Sequence, residues 1–254
     1  MSSISAVVLT YNEETNIENC LKTLSFCDEI VIVDSGSTDN TLNIANKYTK
    51  NVYSRSLDNF AKQRQYGASV ATKDWVLYVD ADEYIPQELA HKLLELKARI
   101  TINTIIIPRK NLFMGKLIKH SGWYPDWQRR MIRRNKVQFI EKSVHELPEL
   151  IDEVIEINSD WDKNQAIIHT TYSSLENYIK KINLYTSLEA LDLKDSLRVN
   201  KLDVIFRSFG MFWQCYFQKK AYKDGIAGFI ISVIQMIYSL MLMIKIIEIK
   251  SNEN

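Results

Sequence analysis

Cysteine is scarce in this chain: three in 254 residues, Cys20, Cys27 and Cys215, an odd and scattered set. No two have metal-ligand spacing, so they read as free thiols of a reducing compartment rather than as a metal site or a disulfide frame. Net charge is nearly absent too. Thirty-two Lys and Arg stand against 31 Asp and Glu, and a formal +1 gives no argument for a nucleic-acid partner. No Gly-x-Gly-x-x-Gly occurs anywhere, which speaks against a dinucleotide-binding oxidoreductase. A nucleotidyltransferase would want a Gly-rich loop after the first strand, and Thr10-Tyr11-Asn12 has none. There is no internal repeat and no low-complexity tract. The first apolar run is only six residues long, too short for a secretion signal, so none is expected.

What is present is a core-forming apolar fraction of 46% and three short apolar runs that each end in polar or acidic residues. Ala6-Val7-Val8-Leu9 leads into Thr10-Tyr11-Asn12-Glu13-Glu14. Ile30-Val31-Ile32-Val33 leads into Asp34-Ser35-Gly36-Ser37-Thr38-Asp39. Trp75-Val76-Leu77-Tyr78-Val79 leads into Asp80-Ala81-Asp82-Glu83. Such runs read as strands buried on both faces of a parallel sheet. Ligands of open α/β sheets bind beyond the carboxyl ends of the strands, so the three ends aim acceptors at one crevice. In an extended segment Asp80 and Asp82, at i and i+2, fall on one side. Paired carboxylates there suit a divalent cation whose shell is completed by phosphate; a solvated acidic turn is the plainer alternative.

The spacing predicts strands at 4–9, 29–34, 51–54 and 75–80. Helices are expected from Asn12 (as N-cap) through Leu24, over Leu42 to Tyr48 with Ser37 or Asp39 as cap, over 57–71, and after Pro86. Alternation of this kind implies a doubly wound α/β fold with a mostly parallel sheet. Further strands are expected at 104–108, 130–133 and 166–170, and a helix at 174–193. Ile226 to Ile244 contains no charge and is long enough for a membrane span. Lysines flank it on both sides. The division expected is a catalytic domain over 1–200 and a helical, membrane-associated tail over 201–254.

Together the three strand-end motifs resemble inverting family 2 glycosyltransferases of the GT-A fold. Gly122-Trp123-Tyr124-Pro125-Asp126, Arg129-Arg130-Met131-Ile132-Arg133-Arg134, Val144-His145-Glu146 and His169 with Tyr172 are similar to the lipopolysaccharide core β-glucosyltransferase branch. The likeness runs over residues 4–190. It implies a nucleotide-diphosphate sugar donor and a glycan or glycolipid acceptor, met on the cytoplasmic side of the bacterial inner membrane. Thr10, Asn12 and Glu13 would lie beneath the nucleotide, and Asp34 would face the base or ribose. Ser35 stands where many members carry a second Asp, so the resemblance does not imply strict uridine recognition. Asp80, with Ala81 beside it, would contact ribose and metal, and Asp82 the metal, Mg²⁺ or Mn²⁺. His169 is a further metal-ligand candidate.

Lys62 and Arg64 could meet the diphosphate and stabilise it as it leaves, or form a solvated helix face. An inverting transfer needs a base for the acceptor hydroxyl. Glu146 and Asp126 are the two candidates, and either could instead be a loop carboxylate paired with a nearby arginine. The arginine run could grip phosphates of an anionic glycolipid or form a solvated strand edge. Aromatics around Trp123 suit stacking on a sugar, or plain packing. The tail could span the membrane, lie on it, or pack as a soluble helix pair. A polyprenyl-phosphate glycosyltransferase and a non-catalytic membrane scaffold are the alternative functions.

Overall fold

The computed structural model of the protein describes residues 2–56, 59–99, 101–138, 153–158, 160–172, 175–197 and 199–252. These residues form two compact units. One comprises Met1–Arg109 with Asp126–His169, the other Lys110–Pro125 with Thr170–Asn254. A boundary at 200 was expected. The observed division instead puts the helix after residue 174 with the C-terminal helices, because that helix bonds to them.

The first unit carries most of the sheet. Strand β1 (Ile4–Thr10) pairs in parallel with β2 (Glu29–Asp34) on one side and with β4 (Trp75–Asp80) on the other. Strand β3 (Val52–Ser54) adds in parallel to β2. Beyond β4 the sense reverses. Strands β8 (Asp126–Arg133) and β6 (Thr104–Phe113) run antiparallel, β8 to β4 and β6 to β8. The sheet is therefore mixed, ordered β3-β2-β1-β4-β8-β6-β10-β5, with β10 at Ile167–Tyr172 and β5 at Glu83–Tyr84. Short strands β7 (Lys116–Leu117) and β9 (Val154–Glu156) pair with β6. The expectation of a mostly parallel sheet holds for β1–β4. It fails afterwards, where no crossover helix separates β6 from β8 among the described residues.

Burial on both faces explains the apolar runs. Ala6 and Val8 of β1 point into a core filled by α1 (Ile17–Thr23) and α4 (Gln87–Leu96), with Cys20, Leu21, Leu89 and Leu93. Val7, between them, points to the other face, against Ala68 of α3 (Phe60–Val70). Helix α3 sits close. A Cβ added to Gly67 would overlap Val7 Cγ1. Asn59 caps α3, its side chain accepting the Lys62 N–H.

The helix expected from Asn12 begins later, at Ile17, after a turn closed by the Asn16 and Ile17 N–H groups on Glu13 O. Asn12 is no cap. It takes a left-handed φ of 52°, which Asn tolerates better than most residues, and its side chain is used elsewhere. Helix α2 (Thr41–Ala45) has Asn40, not Ser37 or Asp39, at its N-cap; Asp39, one residue earlier, accepts the Thr41 N–H at 3.0 Å.

The second unit is a set of helices. α5 (Leu175–Leu193), α6 (Lys201–Trp213) and α7 (Ile226–Asn252) share a small core with Phe113, Ile118, Tyr178, Ile182, Ile231 and Ile234. Helix α6 opens with a capping box in which Asn200 and Asp203 each bond the other's backbone N–H.

Candidate active site

At the carboxyl ends of β1 and β2, two loops are laced together. The Asn12 N–H donates to Ser37 Oγ at 2.9 Å, and Asn12 Oδ1 accepts the Thr38 N–H at 2.8 Å. The Glu13 N–H donates to Thr41 Oγ1 at 2.8 Å. Glu14 donates its N–H to Asp39 and accepts the Asn40 N–H on its carboxylate. Asn12 and Glu13, expected beneath a nucleotide, thus also shape the floor that would hold one. Asp34 is fully buried. Oδ2 accepts the N–H groups of Gly36 and Ser37 at 2.9 Å each, and Oδ1 accepts Ser37 Oγ–H at 2.5 Å. Its carboxylate closes its own turn, the Asx geometry of a short polar side chain after a strand.

Asp80 ends β4. Arg130 Nη2 donates to its Oδ2 at 2.8 Å, and Arg64 Nη2 lies 3.4 Å from its Oδ1. Glu83, buried three residues on, accepts the Asp80 N–H at 3.0 Å. Its other oxygen accepts from Arg130 at 2.6 Å and from Arg109 at 2.9 Å. Arg109 reaches on to Asp126 with Nε at 2.8 Å and Nη2 at 2.7 Å. Gln128 also donates to Asp126, at 2.7 Å. Burial alone would raise the Asp80 pKa, but Arg130 and Arg64 outweigh it and hold the carboxyl well below the usual carboxylate range. Arg130 and Arg109 lose solvation yet are pushed up by their carboxylate partners, Asp80 with Glu83 and Glu83 with Asp126. Acidic and guanidinium side chains thus alternate along one network in a site of low dielectric.

Ala81 is buried, and its N–H donates to Leu9 O at 3.2 Å, which fixes the turn between the two aspartates. Asp82 points elsewhere than Asp80. Its Oδ2 stands 3.1 Å from Nε2 of His169, which β10 presents by pairing with Glu83 of β5. Among the described residues no group of three or more His, Cys, Asp or Glu is close enough to hold a metal by itself. The Asp82–His169 pair still fits an ion such as Mn²⁺. One carboxylate oxygen and one ring nitrogen make an open site whose other positions suit water and phosphate. Three buried polar atoms near these strand ends have no hydrogen-bond partner among the described residues: Thr10 Oγ1, Gln63 Oε1 and Arg130 Nε. Buried polar atoms are rarely left so, and a bound donor or water would answer them.

Lys62 is exposed on α3, one side of the helix away from buried Gln63. Glu146, the other candidate base, lies outside the described residues. The arginine run is only partly solvated: Arg134 and Lys136 are exposed, but its arginine side chains are engaged by the protein. Besides Arg130, Arg133 lies over the Trp75 ring at 4.6 Å and donates to Ile102 O, and Arg134 donates to Lys73 O. In the helical unit Trp123, with Lys219, Gln214 and Gln235, lines a cavity of about 250 Å³. Sequence reasoning missed Arg109, Gln63 and the bridging role of Glu83. The signal for the arginines was available, since three acidic groups gathered at strand ends require buried cations.

Known proteins resemble this chain along most of its length. An uncharacterized glycosyltransferase of Rickettsia conorii is 26% identical over 246 residues, covering 91% of this chain and 85% of that protein. Lipopolysaccharide core biosynthesis glycosyltransferase LpsC of Rhizobium meliloti is 28% identical over 261 residues, covering 96% and 92%. Among solved structures, a mycobacterial protein superposes with a TM-score of 0.50 at 16% identity, covering 76% of this chain and 74% of its own, a likeness of fold. Residues 5–147 match the family model of Glycosyl transferase family 2 and contain the laced loops, Asp34, Asp80, Asp82 and Arg130. With its mixed sheet, its flanking helices and these strand-end residues, the chain belongs to glycosyl transferase family 2 and is a glycosyltransferase of the GT-A fold.

Proposed function

We propose that this enzyme is a metal-dependent, inverting glycosyltransferase that moves a sugar from a nucleotide diphosphate to a lipopolysaccharide-core-like glycolipid at the cytoplasmic face of the inner membrane. The observation that carries the reading is the divided use of the two aspartates. Asp80 is tied to arginines, while Asp82 is turned to His169. Asp82 and His169 would hold Mg²⁺ or Mn²⁺, which when bound supplies Lewis-acid stabilisation to the departing diphosphate. Thr10 and Gln63 offer unanswered acceptors to the nucleotide. Arg64 holds positive charge beside Asp80, where negative charge grows as the nucleotide leaves.

The acceptor hydroxyl must lose its proton to a carboxylate. Asp126 has its carboxylate oxygens engaged by Arg109 and Gln128, which leaves it poorly placed to take a proton from an acceptor hydroxyl. This favours Glu146. The acceptor class is supported by the named role of LpsC, a relative along nearly the whole chain. Helix α7 is long and apolar enough to cross a membrane, which supports an acceptor anchored there.

The test is transfer of sugar to a lipopolysaccharide core acceptor, with metal titrated. We expect Asp82→Asn to lose activity in limiting metal and Glu146→Gln to lower turnover by about a hundredfold or more with donor binding kept. Full activity of Asp82→Asn in limiting metal would overturn the metal assignment. Transfer to polyprenyl phosphate instead of the core acceptor would move the enzyme to the alternative substrate class.

A further inference from the structure

Helix α6 is built inside out. Ser208 is buried and donates to Val204 O at 2.6 Å. Leu202, Ile205, Phe206, Phe209 and Trp213 are all exposed, Leu202 at 64% and Phe206 at 71%. Their spacing places them on one stripe of the helix. On a surface helix in water that stripe faces inward. Here the contacts with α7 are made by other residues, as Phe212 does with its ring 6.0 Å from Phe229.

The neighbouring helices bury an apolar core of their own but add exposed apolar residues to the same exterior. Leu184 of α5 and Ile226 of α7 are exposed, at 56% and 74%. Polar groups turn toward each other instead. Lys245 donates to Asn183, Thr186 and Ser187, all within 2.8 Å. The Tyr238 hydroxyl donates to Glu189 at 2.5 Å. An apolar exterior of this kind marks an interaction surface, and long polar side chains that find partners on neighbouring helices suit surroundings poor in water.

Charge decides the occupant. Residues 201–252 contain seven Lys and Arg against three acidic residues. Lys219, Lys220 and Lys223 are exposed in the turn that follows the aromatic end of α6, whereas the acid beside them, Asp224, is buried. A second copy would bring the same positive charge to this face and be repelled. Anionic headgroups complement it. Helix α6 and the π-helical turn that continues it to Gln218 make 18 residues, short of a bilayer and interrupted by Asp203 and Arg207.

We propose that α6 lies flat in the membrane interface. Its Leu202–Phe206–Phe209–Trp213 stripe enters the acyl boundary, and Lys219, Lys220 and Lys223 sit on anionic headgroups. This docks the helical unit whether or not α7 crosses the bilayer. The inference rests on the membrane-acting reading above and adds the surface that meets the lipid.

The test uses the full-length protein with vesicles of phosphatidylethanolamine and phosphatidylglycerol, and with vesicles of phosphatidylcholine alone. Sedimentation with vesicles is measured beside donor binding and circular dichroism. Phe206→Ser/Phe209→Ser/Trp213→Ser should lower partitioning about a hundredfold with donor binding intact. Lys219→Gln/Lys220→Gln/Lys223→Gln should lower it more than tenfold on the anionic vesicles alone. Partitioning of the serine variant equal to that of the native protein would overturn the proposal and leave anchoring to α7. It is equally overturned if the native protein is a dimer without lipid that the serine variant converts to monomer while vesicle binding persists. Loss of core-acceptor transfer in a native protein that still docks would sink the functional reading and not this one.

Discussion

One guanidinium nitrogen joins two acidic residues: Arg130 Nη2 stands 2.8 Å from Asp80 and 2.6 Å from Glu83. The guanidinium is 4% exposed, so removing it strands two carboxylates in low dielectric. We expect Arg130→Met to cost about 3–5 kcal/mol of stability. Arg130→Lys should cost less, because the charge remains, yet lower activity by tenfold or more, because an ammonium on a shorter side chain does not hold Asp80 and Glu83 in the same places. Urea unfolding and donor turnover measured on both variants check this. Equal stability of Arg130→Met and the native protein would contradict it.

His169 is expected to act through metal affinity. His169→Ala should raise the Mn²⁺ concentration for half-maximal activity by about 10–100-fold and leave turnover at saturating Mn²⁺ largely recovered. A drop in saturated turnover with unchanged metal demand would show a different role.

The lacing of the two loops predicts a graded series. Asn12→Gly keeps the left-handed backbone but loses the bond to Thr38, whereas Asn12→Ala loses that bond and strains the backbone as well. We expect Ala to be the more destabilising by about 1 kcal/mol, read by thermal unfolding with and without nucleotide. The reverse order would mean that the turn relaxes freely.

Asp39 links the same loops to acid stability. Burial raises its pKa somewhat, but the hydroxyl and N–H of Thr41 and the N–H of Glu14 lower it further, below the ordinary value. A depressed carboxyl contributes stability above its unfolded pKa and loses it as pH falls through its folded value. Asp39→Asn should therefore flatten the stability curve below pH ~4 and leave the slope near neutrality unchanged.

The thiols give a test of packing. Burial pushes the Cys27 thiol up to about 12. Burial, with Glu83, Asp82 and Asp80 nearby, pushes Cys20 well above its usual value. Both are neutral at pH 8 and poor nucleophiles. Disulfide reagents at that pH should leave Cys20 and Cys27 unmodified in the native protein and reach all three cysteines in denaturant. Fast modification of Cys20 would mean that α1 opens readily from the sheet.

Much of the first unit was legible because two-sided burial leaves an unmistakable trace. Val31-Ile32-Val33 and Val76-Leu77-Tyr78-Val79 have no polar position to confuse the reading. Asp80 and Asp82 were legible for the same reason, as the first acids after such runs. The start of α1 was misread because Asn12 is chemically a good cap, and only its partners across the β2–α2 loop reveal another use. Asp34 was expected to face a base or ribose, and its turned-in carboxylate was not legible, since an Asx turn and a ligand contact use the same residue type. Arg109 and Arg130 sit far along the chain from their carboxylates, so pairing them needed the register of β6 against β8. Helix α6 was expected only as part of a helical tail over 201–254, without bounds of its own, because its apolar stripe faces outward and not toward a core.

Gly67 touches no ligand, yet it sets how near the cationic helix can come. Because that position has no side chain, α3 settles onto Val7, and Arg64, one turn earlier, arrives within reach of Asp80. A methyl group there would act as a shim, lifting the helix by a fraction of an ångström and drawing the guanidinium off its carboxylate. The reach of a positive charge toward Asp80 is thus gauged by a hydrogen atom one turn along the same face of the helix.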